Sequence, residues 1–307
     1  MDIIGSWSRL AMKACLSLVL ALTLALLPPT AGRTLTAVAA DAGSKVVATW
    51  MWNTYEIWRD KEGTLNYLTQ HGVNRVYLQA DPDIPVDVYR TFIREAGERG
   101  IEVQALGGKP EWALPEGQDD LYKFIYWVKA YNNSSRSSER FNGIHLDVEP
   151  YVLPQWQYER DTIIGYWMDT VSGFVQEVKS DSYLTVGVDL PIWLQWFLVP
   201  DGKGDTTTLT DYIIGRVDEI ALMAYIDNTP GILQAVSHEL AEAEASGKPV
   251  VIGVETMDNG EANSSFYGLG QGAMYDTINA VASALWTHPA YGGVGIHEYD
   301  SWRFLGW

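Results

Sequence analysis

From about residue 45 onward, two hydrophobic rhythms alternate along the chain. Short runs rich in β-branched and apolar residues give way to longer stretches in which apolar side chains recur every three or four positions. The short runs predict strands at 46–51, 75–79, 102–106, 143–148, 184–190, 219–225, 249–254 and 293–297. The longer stretches predict helices at 64–71, 87–99, 119–131, 160–179, 230–246 and 274–286, with a short, poor helix at 210–215 inside an irregular connection. Gly72, Gly100 and Gly247 follow three of the helical stretches as stop signals. Strict alternation of strand and helix implies a parallel sheet, and eight such units predict a closed (β/α)8 TIM barrel of the α/β class, a single domain over 41–307. An open dinucleotide-binding sheet is the competing arrangement. The glycine-rich turn it needs after the first strand is missing, and no phosphate-binding loop of the Walker type occurs.

The amino terminus breaks this rhythm. Arg9 and Lys13 precede an apolar run over 14–27, Pro28 and Pro29 end it, and Ala37-Val38-Ala39 offers a small-residue cleavage site. Residues 1–40 therefore read as a signal peptide that is removed, and the mature protein as secreted, with no stable membrane insertion after cleavage. The run is shorter than the roughly 20 residues a membrane-spanning helix needs. Cys15 is the only cysteine. Its loss with the leader excludes disulfides, thiolate catalysis and cysteine-bound zinc.

Charge narrows the partners. The chain carries 39 acidic against 21 basic residues, a formal net charge of -18. Such a chain repels phosphate backbones, which argues against nucleic acid. The 13 Trp and 17 Tyr are a heavy aromatic load whose flat faces suit sugar rings.

In a barrel the chemistry belongs at the C-terminal ends of the strands. The polar and aromatic residues there are Trp52, Asn53 and Glu56; Gln79 and Asp81; Lys109, Glu111 and Trp112; His145, Asp147 and Glu149; Asp189; Tyr225 and Asp227; Glu255; and His297, Glu298 and Asp300. The fourth strand is the sharpest. Alternation puts His145, Asp147 and Glu149 on one face and Ile144, Leu146 and Val148 on the other. Crowding of two carboxylates raises the pKa of one of them, which is what a general acid near neutral pH requires. Trp50, Trp193, Trp196, Trp302 and Tyr151 also fall near strand ends or the loops after them, where stacked rings and hydrogen-bonding carboxylates together would bind a polysaccharide or oligosaccharide.

The stretch Asn142-Gly-Ile-His-Leu-Asp-Val-Glu149 resembles the fourth-strand signature D-G-x-D-x-D-x-E of family 18 chitinase-like glycoside hydrolases. The resemblance implies that Glu149 is the general acid and that Asp147 orients the substrate's acetamido group. Leu222-Met-Ala-Tyr225 is similar to that family's sixth-strand Met-x-Tyr, which implies that Tyr225 lines the reaction centre. This sequence departs from the pattern in three places. Asn142 and His145 stand where the family has aspartates, the aspartate after the tyrosine is displaced to Asp227, and His297 stands near the place of the expected strand-eight Trp.

The expected function is thus a secreted glycosidase that cleaves a polysaccharide by carboxylate acid/base catalysis without a cofactor. The catalytic set is Glu149, Asp147, Tyr225 and Glu255; the substrate-binding set is Trp52, Gln79, Trp112, His145, Asp189, Asp227, His297 and Glu298. Glu255 admits a second mechanism, as the nucleophile of a double displacement with Glu149 as acid. Two further readings stay open: a non-catalytic carbohydrate-binding barrel, and a metal-dependent polysaccharide deacetylase or hydrolase using His145, Asp147, Glu149 and His297 as ligands. The first strand lacks the His-x-His that such metal barrels carry.

Overall fold

The computed structural model describes residues 45–306; residues 1–40, read as an export signal, lie outside them, as does Cys15. The barrel strands are β1 (Val46–Met51), β2 (Arg75–Gln79), β3 (Glu102–Gly107), β4 (Gly143–Leu146), β5 (Thr185–Pro191), β8 (Glu219–Met223), β9 (Val250–Glu255) and β10 (Tyr291–His297). They close in the order β1-β10-β9-β8-β5-β4-β3-β2, and every pairing is parallel. The remaining strands, β6 (Leu198–Pro200) and β7 (Thr206–Thr208), form an antiparallel hairpin inside the connection between β5 and β8.

The eight-fold alternation is therefore the observed architecture. Gly100 and Gly247 end their helices in the left-handed region, with φ of 75° and 65°. Outward strand residues such as Val47, Met51, Val76, Leu78, Val103 and Ala105 pack with Phe92, Ile125, Phe174 and Ile278 of the surrounding helices in one continuous core. Some helical boundaries differ from the sequence reading. The helix expected over 160–179 extends back to Trp156, with a break in the helical backbone at Glu159 that explains why its regular period begins one residue later. The helix expected over 230–246 is two, Thr229–Ala235 and Ser237–Ser246, separated at Val236. A short helix, Tyr299–Phe304, closes the chain after β10. Among the described residues, no helix is long and apolar enough to cross a membrane.

The lumen is packed rather than hollow, because bulky residues face glycines. A Cβ on Gly295 would lie 2.6 Å from the Trp50 ring, and one on Gly187 would lie 2.4 Å from His145 Nδ1. Trp50, Tyr77, Leu106, Ala221 and Val251 form a separate cluster inside the barrel. The deep end is closed by polar contacts: Arg75 Nη1 reaches Glu219 Oε2 at 2.8 Å, and Gln104 Nε2 donates to Glu219 Oε1 at 2.7 Å. What stays open is the mouth.

Candidate active site

At the mouth the β4 ladder stops at Leu146, two residues short of the strand read from the sequence. The Asp147 amide still donates to the Gly107 carbonyl at 3.0 Å, so the chain leaves β4 beside the end of β3. Alternation carries through this exit. His145 is sealed in the lumen, whereas Asp147 and Glu149 line a cleft of about 720 Å³ together with Trp52, Asn53, Gly108, Pro110, Met257, His297, Glu298 and Asp300. A side chain on Gly108 could not coexist with this turn, since its Cβ would fall 1.7 Å from the Asp147 carbonyl oxygen. Five residues named from the ends of strands one and eight (Trp52, Asn53, His297, Glu298 and Asp300) thus meet in one cavity with the two acids of strand four.

Both acids hold their protons more tightly than free carboxyls. For Asp147 the largest cause is burial, followed by the negative charges of Asp189 and Glu149; its Oδ1 is sealed and has no hydrogen-bond partner in the protein. Glu149 is also raised, chiefly by burial and further by Asp189. A hydrogen bond from the Tyr151 hydroxyl to Oε2 and the nearby His297 pull the other way. The Tyr225 hydroxyl is raised by burial and then by Glu255, Asp189, Asp147 and Glu149, which puts it in the same electrostatic cluster.

Asp189 sits below this cluster. Trp50 Nε1 donates to its Oδ2 at 3.1 Å, and His145 Nε2 lies 3.1 Å from its Oδ1. His145 is fully buried, with its ring centroid 4.0 Å from that of Tyr77. The sugar-binding role expected for His145 is therefore corrected: it cannot touch substrate and instead sits between Tyr77 and Asp189.

The strand-eight end is organised by register. β9 and β10 pair Glu255 with His297. Glu255 Oε1 accepts from the amides of Thr256 (2.6 Å) and Met257 (2.7 Å), while its Oε2 lies 3.0 Å from His297 Nδ1. Trp52 Nε1 donates to His297 Nε2 at 3.2 Å. An indole N–H can only donate, so in this arrangement Nε2 accepts and Nδ1 carries the proton given to Glu255. Burial works to lower the His297 pKa, but the bond to Glu255 and the charges of Glu255, Asp189 and Glu298 outweigh it, and the net shift is upward. Glu255 is buried, outside the cleft wall, and acts on it through His297.

Other expected residues lie elsewhere. Trp112 is a correction: it is buried against Phe124, ring centroids 5.5 Å apart, in the core beneath the helix Gln118–Ser134. Trp302 is likewise core, packed on Tyr67 and His71. Gln79 does not line the cleft; its carbonyl accepts from Thr54 Oγ1 at 2.7 Å. Asp227 is half-buried beside Asn228, whose Nδ2 donates to it at 3.1 Å, and it too is off the cleft wall. Glu56 is buried in ion pairs with Arg59 and Arg303. Glu298 lines the cleft, but its carboxylate also caps the last helix by accepting from Asp300 and Ser301 amides. The sequence reading missed Met257 and Pro110, and missed Tyr151 as the partner of Glu149. An aromatic hydroxyl two positions beyond the acid was the available signal. Among the described residues, no three His, Cys, Asp or Glu side chains are placed to hold a metal ion together.

These features define a (β/α)8 barrel with a carboxylate pair at its mouth, and the same fold recurs in solved glycoside hydrolases. The C-terminal domain of a protein named as a chitinase from Desulfitobacterium hafniense DCB-2 is similar at 14% identity and a TM-score of 0.56, covering 84% of this chain and 94% of that one. A chitinase from Bacteroides thetaiotaomicron is similar at 13% identity and a TM-score of 0.55, covering 84% and 90%. A GH18 chitinase from Pseudoalteromonas aurantia is similar at 12% identity and a TM-score of 0.51, covering 83% and 95%. At these identities the likeness shows the fold alone, a closed (β/α)8 barrel. No family model matches the chain, and no curated protein matches it by sequence.

Proposed function

We propose that this protein is an exported glycoside hydrolase that cleaves a polysaccharide bearing a 2-acetamido sugar at the scissile bond. One observation carries the reading: Asp147 and Glu149 line the same open cleft, and both carboxyls are pushed up by burial and by neighbouring negative charge. Glu149 protonates the glycosidic oxygen as the substrate's acetamide oxygen attacks the anomeric carbon and the C–O bond breaks. Asp147 accepts from the acetamide N–H and stabilises the positive charge of the cyclised intermediate. Glu149, now a carboxylate, takes a proton from the water that opens the intermediate. Tyr225 and Trp52 orient the sugar, and Asp189 acts from below through its charge.

The alternative in which Glu255 attacks the sugar is disfavoured by its surroundings. Both of its oxygens are engaged, by two backbone amides and by His297. A non-catalytic carbohydrate-binding barrel is favoured by two features, the histidine at the end of β10 where the family carries an indole, and Asn142 and His145 in place of the family's outer aspartates.

The test is product analysis. The chain lacking residues 1–40 is incubated with a panel of polysaccharides, and the Glu149→Gln variant is run beside it. Release of shorter glycans by the parent and none by the variant is expected. Equal hydrolysis by both overturns the assignment of Glu149, and binding without cleavage by the parent selects the non-catalytic reading. Export is checked separately by mass spectrometry of the amino terminus of protein recovered outside the cell.

A further inference from the structure

The cleft continues past Met257. This side chain, 38% exposed, lines the cavity of Asp147 and Glu149 and also a second cavity of about 510 Å³. Tyr267 and Phe304 line the second cavity with Asp258 and Ser301, and the two rings are 60% and 77% exposed. Each aromatic left in water forgoes burial worth about 25 cal/mol per Å² of apolar surface. Two of them around one cavity are therefore a costly arrangement for a surface that meets only solvent.

The rings stand on ordered supports. Tyr267 follows Phe266, which is fully buried and whose amide donates to the Glu255 carbonyl at 2.9 Å. Ser265 Oγ donates to the Met257 carbonyl at 2.5 Å and folds the loop back toward the cleft. Phe304 ends the helix that begins beside Glu298, and its ring centroid lies 4.9 Å from the Arg303 guanidinium. Thr256 Oγ1 and Ser301 Oγ, 2.6 Å apart, join the two supports. Flat rings with a carboxylate and a hydroxyl at their edge match the two faces of a pyranose: C–H groups stack on the aromatics and hydroxyls bond the polar rim.

We propose that this second cavity is a glycan subsite continuous with the catalytic cleft, so that a linear polysaccharide passes over Met257 and stacks a more distant sugar on Tyr267 and Phe304. The inference rests on the glycan reading of the cleft and not on hydrolysis. It makes the protein's substrate a chain rather than a disaccharide.

The experiment is calorimetric titration of two-unit and six-unit oligomers of β-1,4-linked N-acetylglucosamine and of β-1,4-linked glucose into the chain carrying Glu149→Gln, which prevents cleavage. Adding Tyr267→Ala and Phe304→Ala gives the test variant, and Phe304→Trp the variant that keeps a ring. For at least one series the six-unit oligomer is expected to bind about tenfold tighter than the two-unit one. The double alanine variant is expected to lose that advantage, and Phe304→Trp to keep it; circular dichroism confirms that both fold. Six-unit binding undiminished in the double alanine variant, or no dependence on length, overturns this inference while leaving cleavage by the parent as a separate result. Failure of the parent to bind any of these oligomers overturns it along with the glycan reading.

Discussion

Trp50 on β1 donates its indole N–H to Asp189 on β5 at 3.1 Å, and these two strands lie opposite each other in the barrel. The bond crosses the lumen just below the mouth. It holds in place the carboxylate whose charge raises Asp147, Glu149 and Tyr225. Trp50→Phe keeps most of the ring and removes the donor. A loss of about 1–3 kcal/mol is expected, the scale of leaving a buried acceptor unpaired. Gly295→Ala attacks the same contact sterically, because its Cβ would fall 2.6 Å from the ring, and should cost a similar 1–3 kcal/mol. Urea unfolding measures both; an unchanged midpoint in Trp50→Phe would show the bond to be idle.

Tyr151→Phe should move the pH profile of activity upward. The Tyr151 hydroxyl donates to Glu149 and lowers a pKa that burial and Asp189 raise, so removing it lets that pKa rise further. The alkaline limb of kcat/KM reports loss of the acid's proton in the free enzyme, and it should shift to higher pH in the variant. Asp189→Asn should shift the same limb to lower pH, since it removes a charge that opposes ionisation. A downward shift in Tyr151→Phe would falsify the assignment of that limb to Glu149.

Asp147 should weaken the fold at neutral pH. Its folded-state pKa is raised, by burial first and then by Asp189 and Glu149. Its favourable contribution is therefore complete below the ordinary aspartate pKa of about 3.9 and lost as pH rises through the higher folded value. Asp147→Asn, which cannot ionise, should be more stable than the parent at pH near 8 by roughly 1–3 kcal/mol, the scale set by buried polar groups. That gain should vanish below about pH 3.9. Urea midpoints of the two proteins across this range provide the check, and a gain independent of pH would point to packing instead of charge.

The strands were legible because each is a short, nearly unbroken apolar run, as strands buried on both faces are; 46–51 and 75–79 coincide with β1 and β2. The acids were legible from the two-residue period of a strand, since Asp147 and Glu149 share a face with His145. Depth was not legible. Whether a residue on that face meets water depends on what the neighbouring strands send inward: His145 is packed against Tyr77 and fully buried, while Asp147 lines the cleft. Trp52 and Trp112 both follow strand ends, yet the first enters the cleft and the second turns into the core, because the short helical turn Pro110–Ala113 directs Trp112 toward Phe124. Met257, Tyr267 and Phe304 carry no periodic signal at all. They come together only when the loop after β9 and the last helix are joined at Thr256 and Ser301.

Glu255→Gln separates a positioning role from a nucleophilic one. The Gln carbonyl can still accept from the Thr256 and Met257 amides, which places its NH2 against His297 Nδ1. Nδ1 must then accept, the imidazole proton moves to Nε2, and Nε2–H meets the Trp52 N–H donor to donor. The indole loses its anchor on the cleft wall. Displacement of a substrate-orienting group by about 1 Å costs on the order of a hundredfold in rate, so kcat/KM should fall by roughly tenfold to a hundredfold while turnover persists. Tryptophan fluorescence should change with it, as it should in His297→Ala, which removes the same anchor. If Glu255 instead attacked the sugar, Glu255→Ala would be inactive and added azide would restore cleavage with formation of a glycosyl azide. Azide rescue of that kind would replace the acetamide mechanism with double displacement.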